Sequence, residues 1–114
     1  MRVTTDLWIS ALLRRVFAAG GFGAVVTRGG ESAGAIFIVV RNRLGEAILY
    51  GPAPQAGYAD ARPDDRLFIE IVRADDDAKI DEKLTRERKF DSDLWVVEIE
   101  PGNVDAELFA IMTP

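Results

Sequence analysis

Any chemistry in this chain has to come from carboxylates, amines, hydroxyls and guanidinium groups, because its 114 residues include no histidine and no cysteine. Losing histidine removes the commonest general base near neutral pH and the commonest transition-metal ligand, which excludes Ser-His-Asp triads, histidine-ligated zinc and facial-triad iron. Losing cysteine removes disulfides, thiolate nucleophiles and zinc–thiolate sites. Paired carboxylates for acid–base work are conceivable from Asp60, Asp64, Asp65 and Glu70, but such work needs a fixed separation and a raised pKa, and spacing supplies neither. A solvated acidic loop accounts for most of them. The run Asp75-Asp76-Asp77 lacks the alternating ligands, glycine and distal glutamate of a calcium loop, and three adjacent side chains cannot converge on one ion, so it reads as the acidic opening of a helix. No metal and no cofactor is expected.

Glycines are dense at Gly20, Gly21 and Gly23 and again at Gly29, Gly30 and Gly34. A nucleotide-binding loop needs strand, then glycines, then helix; here the glycines follow a helix or join two strands, and no Gly-Lys-Ser/Thr occurs, so turn geometry is the preferred account. The candidate binding residues are Tyr58 and Arg62, in the long connection Gly51 to Asp65, and Arg86 and Arg88, where a helix closes. The basic residues Arg14, Arg15, Arg28, Arg41 and Arg43 do not line up, and a pI near 4.7 sets the field of the molecule against phosphate, so nucleic acid is not an expected partner.

The elements that must position these groups follow from hydrophobic period. Thr5 can cap a first helix running to about Ala19, with Trp8, Ile9, Leu12, Leu13, Val16 and Phe17 forming a wide apolar face and Gly20-Gly21 ending it. Phe22 to Arg28 predicts a strand that turns at Gly29-Gly30, through two positive φ angles, into the apolar run Ala33 to Val40. That run has no polar member, which predicts a central strand covered on both faces, and it is too short to cross a membrane. A turn at Arg41 to Glu46 closed by Gly45 leads to a third strand, Glu46 to Tyr50, completing a predicted three-stranded meander. Arg66 to Arg73 alternates as a strand, Leu67, Ile69 and Ile71 against Phe68, Glu70 and Val72. A second helix runs from Asp75–Asp77 to about Lys89 with only Ile80 and Leu84 as an apolar stripe, and Asp93 to Glu100 is another strand. A parallel pairing of these last two strands across the helix is open. Val104 to Met112 fits a helix or a final hairpin strand, the strand being favoured. Length and composition, 48% hydrophobic and 29% charged, give one globular domain, residues 1–114. The expected fold is α+β, a mainly antiparallel sheet of five or six strands with two helices. Net charge divides unevenly: residues 1–50 carry +3 and residues 51–114 carry −8.

The segment Leu84-Thr85-Arg86-Glu87-Arg88-Lys89-Phe90-Asp91-Ser92-Asp93-Leu94-Trp95, continuing to Glu100, together with Leu49-Tyr50-Gly51-Pro52 and Arg66-Leu67-Phe68, resembles a small alphaproteobacterial family, domain of unknown function fourteen-ninety-one. The resemblance covers essentially the whole chain and implies a bacterial setting but no activity. Read physically, Arg86, Arg88 and Lys89 close the helix, Phe90 enters the core, Asp91 and Asp93 accept bonds from loop amides and Trp95 anchors the strand: a structural corner rather than a ligand site.

Two functional readings follow. The first is a small, non-catalytic, cytoplasmic protein-interaction module, enzyme activity being disfavoured. The second is a small-molecule-binding protein or small enzyme using the Gly51 to Asp65 loop. The cytoplasm is expected because Asp6, Arg14 and Arg15 interrupt any signal-peptide core near the N-terminus. A homodimer is also expected, because the second helix is too narrow to cover its face of the sheet alone, leaving Phe68, Val72, Leu94 and Val96 for a two-fold partner or another protein.

Overall fold

The computed structural model describes residues 3–30, 34–54, 66–102 and 108–112. In chain order the elements are α1 (Thr5–Ala18), β1 (Phe22–Thr27), β2 (Ile36–Arg41), β3 (Ala47–Pro52), β4 (Leu67–Ala74), α2 (Asp77–Phe90), β5 (Trp95–Glu100) and β6 (Ala110–Ile111). They build one six-stranded sheet in the order β1-β5-β2-β3-β4-β6, antiparallel except where β2 meets β5 and β4 meets β6. The architecture is α+β and mostly antiparallel, as the sequence predicts.

β2 is central and covered on both faces. Ile36 and Ile38 join Ile9, Leu12 and Val16 of α1, with Trp95, Val97 and Ile99 of β5; Phe37 and Val39 join Ile80 and Leu84 of α2, with Leu49, Leu94 and Val96. A strand flanked this way needs apolar residues at every position, which is why β2 does not alternate.

The predicted β1–β2 hairpin does not form. β1 pairs antiparallel with β5, and β5 lies parallel to β2 between them. The reason is apolar content: Trp95, Val96 and Val97 are buried on both faces, whereas β1 brings Gly23 and Ala24 and stays largely exposed, so the richer strand takes the interior. Gly29 and Gly30 accordingly have no positive φ. The chain there runs on along the start of β5, Gly30 N–H donating to the Asp93 carbonyl at 2.9 Å. The meander is instead β2-β3-β4; its first turn is closed as predicted by Gly45, at φ 83°, and is held by main-chain bonds of Asn42 with Gly45 and Glu46. Because acidic β5 sits between β1 and β2, the two oppositely charged halves of the sequence interleave.

Four further expectations are corrected. Thr4, not Thr5, is the α1 N-cap; its hydroxyl donates to Asp6 at 2.7 Å while Thr5 is buried in the first turn. β4 and β5 run in the same direction but are separated by β3 and β2, so α2 spans the sheet rather than joining neighbours. β6 is a strand, but it lies parallel to β4 instead of closing a hairpin on β5; residues 103–107 lie outside the described residues. Finally, the surface assigned to a partner is covered within the chain: Phe68, Leu94 and Val96 are 2%, 1% and 1% exposed. A bulge causes part of this. Leu49 pairs with Val72 and Tyr50 with Glu70, leaving Ile71 extra, so Phe68 packs in the α1 cluster while half-buried Val72 turns to the α2 cluster.

Candidate functional site

Of the sequence-predicted binding residues the structure describes Arg86 and Arg88, and these two take separate partners. Tyr58 and Arg62, with residues 55–65 of the long connection, lie outside the described residues. Arg86 pairs with Glu82 at 2.7 Å on the exposed side of α2. Arg88 reaches across to donate to the Thr27 hydroxyl at 2.7 Å, tying the end of α2 to the end of β1. At Asp91 and Trp95 the corner is built as the physical reading of the family signature requires. One Asp91 oxygen accepts from Ala35 N–H at 3.0 Å and the other from Asp93 N–H at 2.9 Å. Trp95 is buried, donates from Nε1 to the Gly30 carbonyl at 2.7 Å and lies under the Arg28 guanidinium at 5.1 Å. Asp93 contributes its main-chain carbonyl, and Phe90 does not enter the core: it is 88% exposed. The helix runs through Phe90, which six positions after Leu84 falls about a third of a turn from the buried stripe.

A cleft of about 370 Å³ opens at the carboxyl ends of the parallel pair β2 and β5, lined by Gly20–Phe22, Arg41–Arg43 and Glu100–Gly102. Such a position, outside the carboxyl ends of parallel strands, is where open sheets commonly receive ligands. The α1–β1 turn forms one wall. Gly20 takes φ 81° to end the helix, and Gly21 lies so close to Glu100 and Gly102 that a Cβ there would stand 2.5 Å from the Glu100 carbonyl oxygen. Arg41 is committed: Nη1 donates to Asp77 at 2.8 Å and Nε to Glu98, and these two carboxylates hold its pKa well above the usual guanidinium range. Asn42 is committed too, its Oδ1 accepting from Leu44 and Glu46 N–H at 3.0 Å each. Arg43 and Glu100 are exposed, and among the described residues Arg43 has no ion-pair partner. The cleft therefore offers a guanidinium fork and a carboxylate for binding polar groups, with glycine backbone in one wall.

Phe22 belongs both to this cleft and to a second feature, the open edge of the sheet. β1 is an edge strand with no charged residue and no proline. Phe22 and Val26 are 60% and 57% exposed, Val25 is exposed beside them, and the exposed ring of Phe17 on α1 meets Phe22 edge-on at 6.1 Å. A bulge between Val25 and Thr27 is the one edge-blunting device in the strand. Periodicity identifies β1 as a strand, but which strand it pairs with and where Phe17 of α1 meets Phe22 depend on the tertiary arrangement, so the strip is not legible from the pattern.

Comparison with known proteins places these features in a family. The profile of the family described as "Protein of unknown function (DUF1491)" matches residues 3–108. The fold is similar to the solution structure of protein Atu0922 from A. tumefaciens, at 46% identity and a TM-score of 0.83, covering 100% of this chain and 98% of that one. It is also similar to the crystal structure of a DUF1491 family protein from Caulobacter crescentus CB15, at 29% identity and a TM-score of 0.76, covering 99% and 100% of the two chains. No curated protein matches.

Proposed function

Because the chain belongs to the DUF1491 family, whose function is unknown, its activity has to be read from its own surface, and we propose that it is a non-catalytic, cytoplasmic protein-interaction module whose docking edge is β1. The observation that carries this reading is the uncharged, exposed β1 edge flanked by Phe17 and Phe22. Unpaired strand edges are templates for a further strand: the main chain supplies affinity, and alternate side chains supply specificity. The cysteine-free composition supports a reducing compartment. No helix among the described residues is long and apolar enough to cross a membrane.

A photo-crosslinking amino acid at Val26 tests the reading in cells that make the protein, with Leu44 on the β2–β3 turn as the control. Discrete adducts from Val26, absent from Leu44 and lost when Val25→Lys places a charge on the edge, are expected. Equal labelling at the two positions, or none at Val26, defeats it.

The cleft favours a second reading, since its volume lies in the range of small-molecule sites. A thermal-shift screen against metabolites, nucleotides and divalent ions decides it: stabilisation abolished by Arg43→Ala supports a ligand in the cleft, stabilisation abolished by changing Tyr58 or Arg62 assigns it to the Gly51 to Asp65 loop, and no stabilisation overturns the small-molecule reading.

A further inference from the structure

We infer that the segment docking on β1 is β1 of a second copy, so that two chains pair antiparallel about a two-fold axis and their sheets become continuous; this rests on the reading of β1 as a docking edge. Self-pairing asks that a strand tolerate its own sequence opposite itself. Phe-Gly-Ala-Val-Val-Thr does, because it places no like charges face to face. A two-fold axis perpendicular to a sheet preserves its faces, so residues of matching parity must meet, and the register is centred on a residue rather than between two.

Centring on Ala24 puts the small side chain on the axis. It sets Phe22 of each copy opposite Val26 of the other, an aromatic against a β-branched residue, and Gly23, which has no side chain, opposite Val25. Centring on Val25 would instead set Phe22 against Arg28 and Gly23 against Thr27. The Ala24 register also sets Arg28 of each copy across from Gly20 of the other, so no like charges are opposed at the ends of the joint. Phe17, already edge-on to Phe22, extends the apolar contact onto α1. This interface lies on the strip that is exposed in the single chain, not on Phe68, Leu94 or Val96, which the chain buries for itself.

Since the protein has no cysteine, Ala24→Cys introduces a unique thiol at the proposed axis. Directly opposed residues of an antiparallel pair have Cα atoms about 4.5–5.5 Å apart, within disulfide reach. Light scattering coupled to size exclusion is expected to give a dimer mass for the wild type. Under mild oxidation Ala24→Cys is expected to form covalent dimer at least about tenfold faster than Leu44→Cys, which has only random encounter to bring its thiols together. Val26→Lys is expected to shift the mass toward monomer. A monomer at high micromolar concentration overturns the inference, and so does a dimer in which Ala24→Cys crosslinks no faster than Leu44→Cys. The Val26 photo-adduct separates the two levels: an adduct with a different protein, in a chain that is monomeric alone, removes the second copy and keeps the docking edge, whereas no adduct and no dimer remove both.

Discussion

Gly20 and Gly21 stand side by side at the cleft for different physical reasons. Gly20 has φ 81° and open space around its missing Cβ, so a side chain there meets only backbone strain. At Gly21 a Cβ would lie 2.5 Å from the Glu100 carbonyl oxygen and 2.8 Å from the Gly102 nitrogen, both main-chain atoms that cannot rotate away. Gly20→Ala is therefore expected to cost about 1 kcal/mol and Gly21→Ala about 2–3 kcal/mol or more, as read from urea midpoints; equal costs would contradict the close approach. The helix-ending glycine was legible because a turn follows an amphipathic run. The close approach was not, because its other side comes from the distant segment Glu100–Gly102. Glu70 provides a second test at this scale. Arg73, at 2.8 Å, lowers the Glu70 pKa below its ordinary 4.5 by hydrogen bonding that outweighs desolvation. A depressed folded-state pKa means that the stabilisation is fully present above 4.5 and is lost as pH falls through the lower folded value. Glu70→Gln should thus lower the urea midpoint slightly at pH 7, the pair being exposed, and leave it unchanged at the acid end of the titration.

Among the elements, α2 and the corner that follows it show both what pattern reveals and where it fails. The acidic start and basic finish gave the helix its place, and Asp76 indeed caps it by accepting from Ala78 N–H at 3.0 Å. Its apolar stripe is narrow on the helix alone, but the width of the covered face is set by helix and sheet together. Ile80 and Leu84 suffice to seal the face, since the sheet beneath supplies Phe37, Val39, Leu49, Leu94 and Val96. Likewise the signature's carboxylates were recognisable as acceptors, but Phe90 was not recognisable as exposed without the last helical residue. Asp91 holds the corner from both sides, one oxygen on Ala35 before β2 and the other on Asp93 before β5. Asp91→Ala leaves the part-buried Ala35 N–H unsatisfied and is expected to lower stability by about 1–3 kcal/mol. Asp91→Asn, which keeps an acceptor on only one side, should fall between the two in urea unfolding; a neutral Asp91→Ala would show that the corner is held by Trp95 packing instead.

At the scale of the molecule, β5 is the strand that makes one sheet out of two pieces. β1 has no other neighbour, and β2 loses one flank without it. β5 also brings Trp95, Val97 and Ile99 to the α1 cluster and Val96 to the α2 cluster, so both cores depend on a strand formed late in the chain. Local periodicity identified β5 as a strand but could not say between which strands it inserts, because neighbouring strands in sequence are only the commonest neighbours in space. The two topologies make opposite predictions for a chain ending at Phe90. In the meander, β1, β2, β3 and β4 would stay contiguous and keep a cooperative sheet. In the observed order, β1 is stranded beside α1 and β2 becomes a bare edge with its apolar residues in water. The chain of residues 1–90 is therefore expected to show no cooperative thermal transition by circular dichroism, whereas residues 1–102, which keep β5 but lose β6, buried Leu108 with the Arg15 bonds to its carbonyl, and the contacts of Phe109 with Tyr50 and Phe68, should retain a transition at reduced temperature. A cooperative transition in residues 1–90 would mean that the N-terminal strands pair directly with one another rather than through β5.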